Sequence, residues 1–232
     1  MGTPYASLVR KYLSKYIVEF MVVVTGVLIS FYVEKHRARD YKNNLKNHSL
    51  SRLASNIESD LDDSWYNHRL HTFAKDMCDV LLDDYEELRI DRRDSIGKCM
   101  GIACKYWTIF MDNPEEYLTL RNSGLIEFVE HDSLIMLLQK KYSSHLLYKQ
   151  WESLILVNND HLLQVFNQKT TGVGVTSGYG TLRDDVELSH EDFNLIRRRK
   201  ELSSSYLRDI DESIARDSLI LKTIQRLLSE QP

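Results

Sequence analysis

Two histidines three residues apart, His68 and His71, share one face of any helix that carries them, with Asp60, Asp63, Asp76 and Asp79 within a few turns. Metal centres in helical bundles use such i, i+3 spacing. No Glu-x-x-His pair and no HExxH motif accompanies it, so the pair reads first as a solvated helix face, and a metal-dependent enzyme ranks last among the functional readings. Cys99 and Cys104 stand five residues apart, the wrong spacing for CxxC chemistry, and read as small buried apolar side chains. The stretch TTGVGVTSGYGTL, Thr170 to Leu182, is rich in glycine but lacks the Walker lysine and the Rossmann spacing. It reads as a mobile loop rather than a phosphate cradle. Arg197-Arg198-Arg199-Lys200 is a compact basic run that could contact anionic lipid headgroups or a nucleotide. Glu191, Asp192 and Glu201 beside it favour a solvated, partly ion-paired surface. None of these groups makes a catalytic constellation, and no cofactor is implied.

The most specific signal lies near the N-terminus. Tyr16 to Val33 reads YIVEFMVVVTGVLISFYV, apolar except for Glu19, Thr25, Gly26 and Ser30. Eighteen helical residues span roughly 27 Å, close to the thickness of a bilayer's hydrocarbon core. Arg10, Lys11 and Lys15 precede it, and Lys35, Arg37 and Arg39 follow; Tyr12, Tyr16 and Tyr32 occupy interfacial positions. No small-x-small cleavage site follows, which argues against a cleaved signal peptide. The reading is a single membrane-spanning anchor. On it, Gly26 and Ser30 form a small-xxx-small pair, with Glu19 two turns earlier on the same face and Val22 and Val23 beside it. Small residues permit close helix approach where lipid supplies no hydrophobic drive, while a carboxylate in a span must reach water or a partner. Glu19, Val22, Val23, Gly26 and Ser30 are therefore the expected oligomer interface, or alternatively a pore lining.

Five Lys/Arg (Lys35, Arg37, Arg39, Lys42, Lys46) follow the span closely, against three before it. By the positive-inside rule this predicts a cytoplasmic C-terminal domain on a single-pass inner-membrane protein. Three cysteines, an odd number, fit a reducing compartment. A net charge of −4 and a pI near 6.1 argue against a nucleic-acid partner.

The elements that must position these residues are helical. Only three prolines and nine glycines occur in 232 residues, too few for a β-sandwich or a doubly wound α/β fold. Neither residue occurs between Gly26 and Gly97, where Leu45, Leu53, Ile57, Leu61, Leu70, Met77 and Leu81 make a helical stripe. The pattern predicts further helices over 95–111, from an Asn113 cap to Gly124, over 132–168, and from a Ser189-x-x-Asp192 capping box to about Leu228. The expectation is an all-α chain: a tail (1–15), a transmembrane helix (16–33), and a long-helix antiparallel bundle (34–232) with the glycine-rich loop at 170–182.

Two segments carry a resemblance. Glu19-Phe20-Met21-Val22-Val23-Val24-Thr25-Gly26-Val27-Leu28-Ile29-Ser30 is similar to the start of a family of uncharacterised bacterial membrane proteins, in which an acidic residue precedes an apolar run ending Gly-(Ile/Val)-Leu-Ile-small. NPEEYLTLRNSGLIEFVEHDSLIMLLQKKY, Asn113 to Tyr142, resembles the same family's helix-Ser-Gly-helix signature. Together they cover 42 of the 232 residues, in order. His36 stands where the family carries a tryptophan. The resemblance implies the topology and no activity. Three functions follow in rank: a self-associating membrane scaffold or sensor, an ion-conducting or membrane-disrupting oligomer, and an enzyme using His68 and His71.

Overall fold

An uninterrupted helix of 80 residues, α1 (Pro4–Asp83), carries the architecture. The computed structural model describes residues 4–171 and 180–230. No proline beyond Pro4 and no π-bulge interrupts the ladder of α1. At 1.5 Å per residue it is about 120 Å long. Its first part stands bare, and its second part is the central rod of a helical bundle.

The rest of the chain wraps that rod. Short α2 (Tyr85–Asp91) and α3 (Arg93–Lys105) turn back at its far end. An extended segment then leads to α4 (Glu115–Asn122), a 3-10 turn (Leu125–Phe128) and α5 (Asp132–Ser143) at the near end. Next, α6 (His145–Lys169) runs outward again, and α7 (His190–Ser229) returns. The α1/α7 pair is antiparallel. Leu53 and Ile57 meet Ile220 and Ile224 in one cluster, whereas Cys78 and Leu81 meet Ile196 in another. Between these two apolar ends lies a third cluster around Phe110, Tyr148, Ile155 and Tyr206.

Several boundaries differ from the sequence expectation, each for a local reason. The helix predicted to reach Met111 stops at Lys105, because Tyr106-Trp107-Thr108-Ile109-Phe110 is aromatic and β-branched and leaves Tyr106 extended (φ −89°, ψ 91°). Asn113 does not cap α4; its amide donates to Asp60 Oδ1 at 3.1 Å instead. The helix expected over 132–168 breaks at Ser144, where the Ser143 and Ser144 hydroxyls both donate to Lys140 O (3.1 and 2.7 Å). Gly124 does adopt the left-handed conformation (φ 73°) just past α4. The Ser189/Asp192 capping box forms, and Lys169 Nζ reaches Asp192 Oδ2 at 2.5 Å. Most of the glycine-rich stretch, residues 172–179, lies outside the described residues. Its flanks Thr170–Thr171 and Thr181–Leu182 pair as a two-residue antiparallel ladder.

That ladder is seated on α3 through Gly97. A Cβ built there would lie 1.7 Å from the backbone oxygen of Gly180. Gly97→Ala is therefore expected to force the two backbones apart, costing about 1–3 kcal/mol as overpacking does. Faster hydrogen exchange at the Thr181 and Leu182 amides, with a lowered melting temperature, checks it; wild-type values for both would contradict the seating.

Candidate functional site: a bare span and a buried polar frame

The described part of the apolar segment, from Tyr16, is helical, and no residue of its 18-residue apolar window is buried. Phe20, Val22, Val23, Leu28 and Phe31 are each more than 60 % exposed. Among the described residues this is the one helix long and apolar enough to cross a membrane. A core helix of a soluble protein would show the opposite pattern, with its apolar residues covered.

The expected interface residues lie open along this segment. Glu19, Val22, Val23, Gly26 and Ser30 are all exposed, and a Cβ at Gly26 would meet nothing within 4 Å. Ser30 Oγ donates to Gly26 O (2.9 Å) and Thr25 Oγ1 to Met21 O (2.7 Å), so both hydroxyl protons are used within the helix. That leaves the Gly26/Ser30 face as a shallow notch, with Val23, Val27 and Glu34 along its sides.

The bundle interior holds a second assembly, one that the sequence reading missed. The extended segment between α3 and α4 is half-buried against the bundle around Phe110, with its backbone polar groups facing side chains. Four helices satisfy them. From α1, Asp60 and Asp63 accept the Asn113 and Met111 amides (3.1 and 2.9 Å), and His71 Nε2 lies 3.2 Å from Thr108 O. From α6, Glu152 accepts the Phe110 amide (2.6 Å) and Lys149 Nζ donates to Phe110 O (3.0 Å). Tyr142 of α5 donates to Asn113 O (3.4 Å), and Arg199 of α7 to Tyr106 O (3.1 Å). A non-helical segment inside a bundle has orphaned amides and carbonyls, and each must find a partner. Asp60, Asp63, His71, Lys149, Glu152 and Arg199 are among those partners.

Lys141 sits behind the segment, 3 % exposed, between Asp60 (2.8 Å) and Asp217 (2.6 Å). Burial raises the pKa of both aspartates above the ordinary carboxylate range, with the Lys141 charge opposing it. Nearby, the Tyr206 hydroxyl lies 3.2 Å from Asn67 Oδ1 and 3.3 Å from Glu152 Oε1, and burial pushes its pKa up. The His71 ring packs on Tyr206 with centroids 4.5 Å apart. Burial, with the Arg199 charge adding to it, lowers the His71 pKa to about 4, so the ring is neutral.

The histidine pair is thus divided. His71 is inside, committed to Thr108 O, while half-buried His68 faces Asp211 of α7 at 3.2 Å. Among the described residues no group of three or more His, Cys, Asp or Glu is placed to hold a metal ion. The basic run is divided too. Arg197 and Arg198 are exposed and Lys200 pairs with Asp79 (2.5 Å), but Arg199 is fully buried. Its guanidinium bonds Ala103 O (3.1 Å), Tyr106 O and Ser203 Oγ. It therefore closes the C-terminal end of α3, where a cation complements the helix dipole. Burial lowers its pKa to about 10, which leaves it charged at neutral pH. The run is not one anion-binding surface. Cys78 and Cys104, buried, have thiols pushed up to about 12 and about 11 by desolvation, and Cys99 is raised for the same reason. None of the three is poised as a thiolate.

No family model matches this chain, and no curated protein or solved structure matches it either. Function is therefore argued from the geometry alone. That geometry offers an open apolar helix, an interior polar frame much of which holds one segment, and a cleft where the two parts join. The cleft, of about 710 Å³, lies between α1 at Arg39–Leu50, the 3-10 turn and the end of α7.

Proposed function

We propose that this chain is a non-enzymatic, single-pass membrane protein that self-associates through its span and serves as a scaffold or sensor at the membrane surface. The observation that carries the reading is the fully exposed apolar window lying in the same unbroken helix as the bundle's central rod. Lipid covers such a surface at no cost, whereas water does not. The excess of Lys/Arg after the span and the three unpaired cysteines support a bundle on the cytoplasmic side of an inner membrane. The resemblance to bacterial membrane proteins supports the same topology. The open notch at Gly26 and Ser30 supports association by close helix approach. The ionisable groups of the interior hold structure together, which supports a role without catalysis.

Two variants test the reading. Removing residues 1–36 should move the protein from the membrane pellet to the soluble fraction with its helical circular dichroism kept. Gly26→Leu in the full chain should sharply reduce crosslinked dimer in native membranes, whereas Ser30→Ala should weaken it slightly, since one polar interhelical contact contributes about 1 kcal/mol or less. A truncated protein that stays in the pellet, or wild-type crosslinking by the leucine variant, would sink the corresponding half. Ion flux across liposomes, altered in selectivity by Glu19→Gln, would instead favour the pore reading.

A further inference from the structure

The cleft where α1 enters the bundle has one charge without a counterpart. Lys46 lines it and is 9 % exposed, yet it has no hydrogen bond, ion pair or ring contact among the described residues. Two of the three acids lining the cleft are matched to another base, and the third faces a histidine that is charged only when protonated. Glu130 pairs with Arg39 at 3.4 Å, Glu230 with Arg226 at 3.8 Å, and Asp40 lies 3.7 Å from His36 Nδ1. A second cation, Lys42, sits 5.2 Å over the Phe128 ring at the margin. A lysine with nine-tenths of its surface covered and no partner for its ammonium gives up solvation without an internal replacement. Here its setting suits an incoming anion.

The surrounding groups narrow that anion. Asn43 and Asn44 line the same cleft beside Lys46 and add amide donors. Buried Leu50 and Val129, with Phe128, supply an apolar wall. Amide donors beside a cation suit a tetrahedral oxyanion, and the wall accommodates a short carbon unit attached to it. Along α1, Arg39 lies six residues and Lys46 thirteen beyond Val33, roughly 9 and 20 Å. Lysine side chains point back toward the helix N-terminus, which brings the ammonium closer to the span.

We propose that this cleft is a binding site for a phosphate ester, with Lys46 as its anchoring cation and the asparagine amides as its further donors. The ester is either a phospholipid headgroup or a free phosphorylated solute such as a glycerol phosphate. Only the headgroup source rests on the membrane reading.

The test uses the full chain in a neutral detergent, titrated by calorimetry with sn-glycerol 3-phosphate and, separately, with dihexanoyl phosphatidylglycerol; dihexanoylglycerol is the phosphate-free control. Lys46→Met removes the charge and keeps the length of the buried stem. Asn43→Asp leaves the core untouched and supplies a carboxylate one turn before Lys46, where it competes with the ligand. Saturable binding of either phosphate probe, at least tenfold weaker in both variants and absent for the control, supports the site; the probe that binds names the source. Saturation by neither probe, or wild-type binding by both variants, overturns it. Alkaline extraction of membranes, run in parallel, reports on the anchor. A chain released by alkali that still binds glycerol phosphate through Lys46 loses the membrane reading and keeps the site.

Discussion

Lys141→Met is expected to destabilise the bundle by about 3–5 kcal/mol at neutral pH, the range for removing one partner of a buried ion pair. Two buried carboxylates, Asp60 and Asp217, are then left facing one another without the ammonium that sits 2.8 and 2.6 Å from them. Asp60 cannot simply swing away, because its other oxygen holds the Asn113 amide. Adding Asp60→Asn and Asp217→Asn to the methionine variant should recover most of the loss, since the amide oxygen can still accept from Asn113 and no buried charge remains. The defect should also shrink as pH falls toward the raised pKa values of the two aspartates, where protonation removes the repulsion. Thermal melts of the full chain in detergent, followed by near-ultraviolet circular dichroism, read all three effects. The single variant should lose on the order of 10 °C. A melting temperature within 2–3 °C of wild type would mean that the triad carries little of the fold.

A second large effect should appear on acidification. His71 titrates at about 4 in the folded protein against an ordinary value of 6.5. The group is a base with a depressed pKa, so its contribution is fully present above pH 6.5 and is lost as pH falls from there through about 4, as the unfolded chain takes up the proton first. At 1.36 kcal/mol per unit, the loss approaches about 3 kcal/mol. Asp60 and Asp217 act in the opposite sense, because raised carboxylate values favour the folded state at low pH. The His71 limb must therefore be isolated by substitution. His71→Gln keeps a side-chain N–H for Thr108 O and removes the titration. Its stability should vary less than that of wild type between pH 6.5 and 4.5, at some constant cost from lost packing on Tyr206. Parallel pH profiles for the two proteins would be incompatible with a neutral, buried His71.

How much of this was legible beforehand depends on the range of the interaction. The helical class, the apolar segment, the Gly124 turn and the Ser189/Asp192 box are written in runs of a few residues, and each appears where the spacing put it. The polar frame is not local. Asp60, Lys141 and Asp217 are separated by 81 and 76 positions, and nothing in their immediate neighbours distinguishes them from surface charges. The aromatic, β-branched run after Lys105 was the available clue. Such a run resists helix, and a non-helical segment among long helices needs buried partners for its backbone. Arg199 shows the converse error, a residue assigned with its neighbours to the surface when a single step of about 100° separates exposed Arg198 from buried Arg199.

The continuity of α1 has a directional consequence. Each residue of an α-helix advances the azimuth by about 100°, so positions 18 apart, five full turns, face the same way. Gly26, Asn44 and Asp62 share one such bearing, and Ser30, His48 and Tyr66 share the next. Asn44 and Tyr66 are exposed and Asp62 is half-buried, so the Gly26/Ser30 notch and the less covered edge of the rod point in one compass direction. Two copies that meet at Gly26 and Ser30 therefore present these edges, including half-exposed Trp65 and Tyr66, toward one another some 60 Å farther along the shaft. A twist imposed at one end is handed to the other without slack.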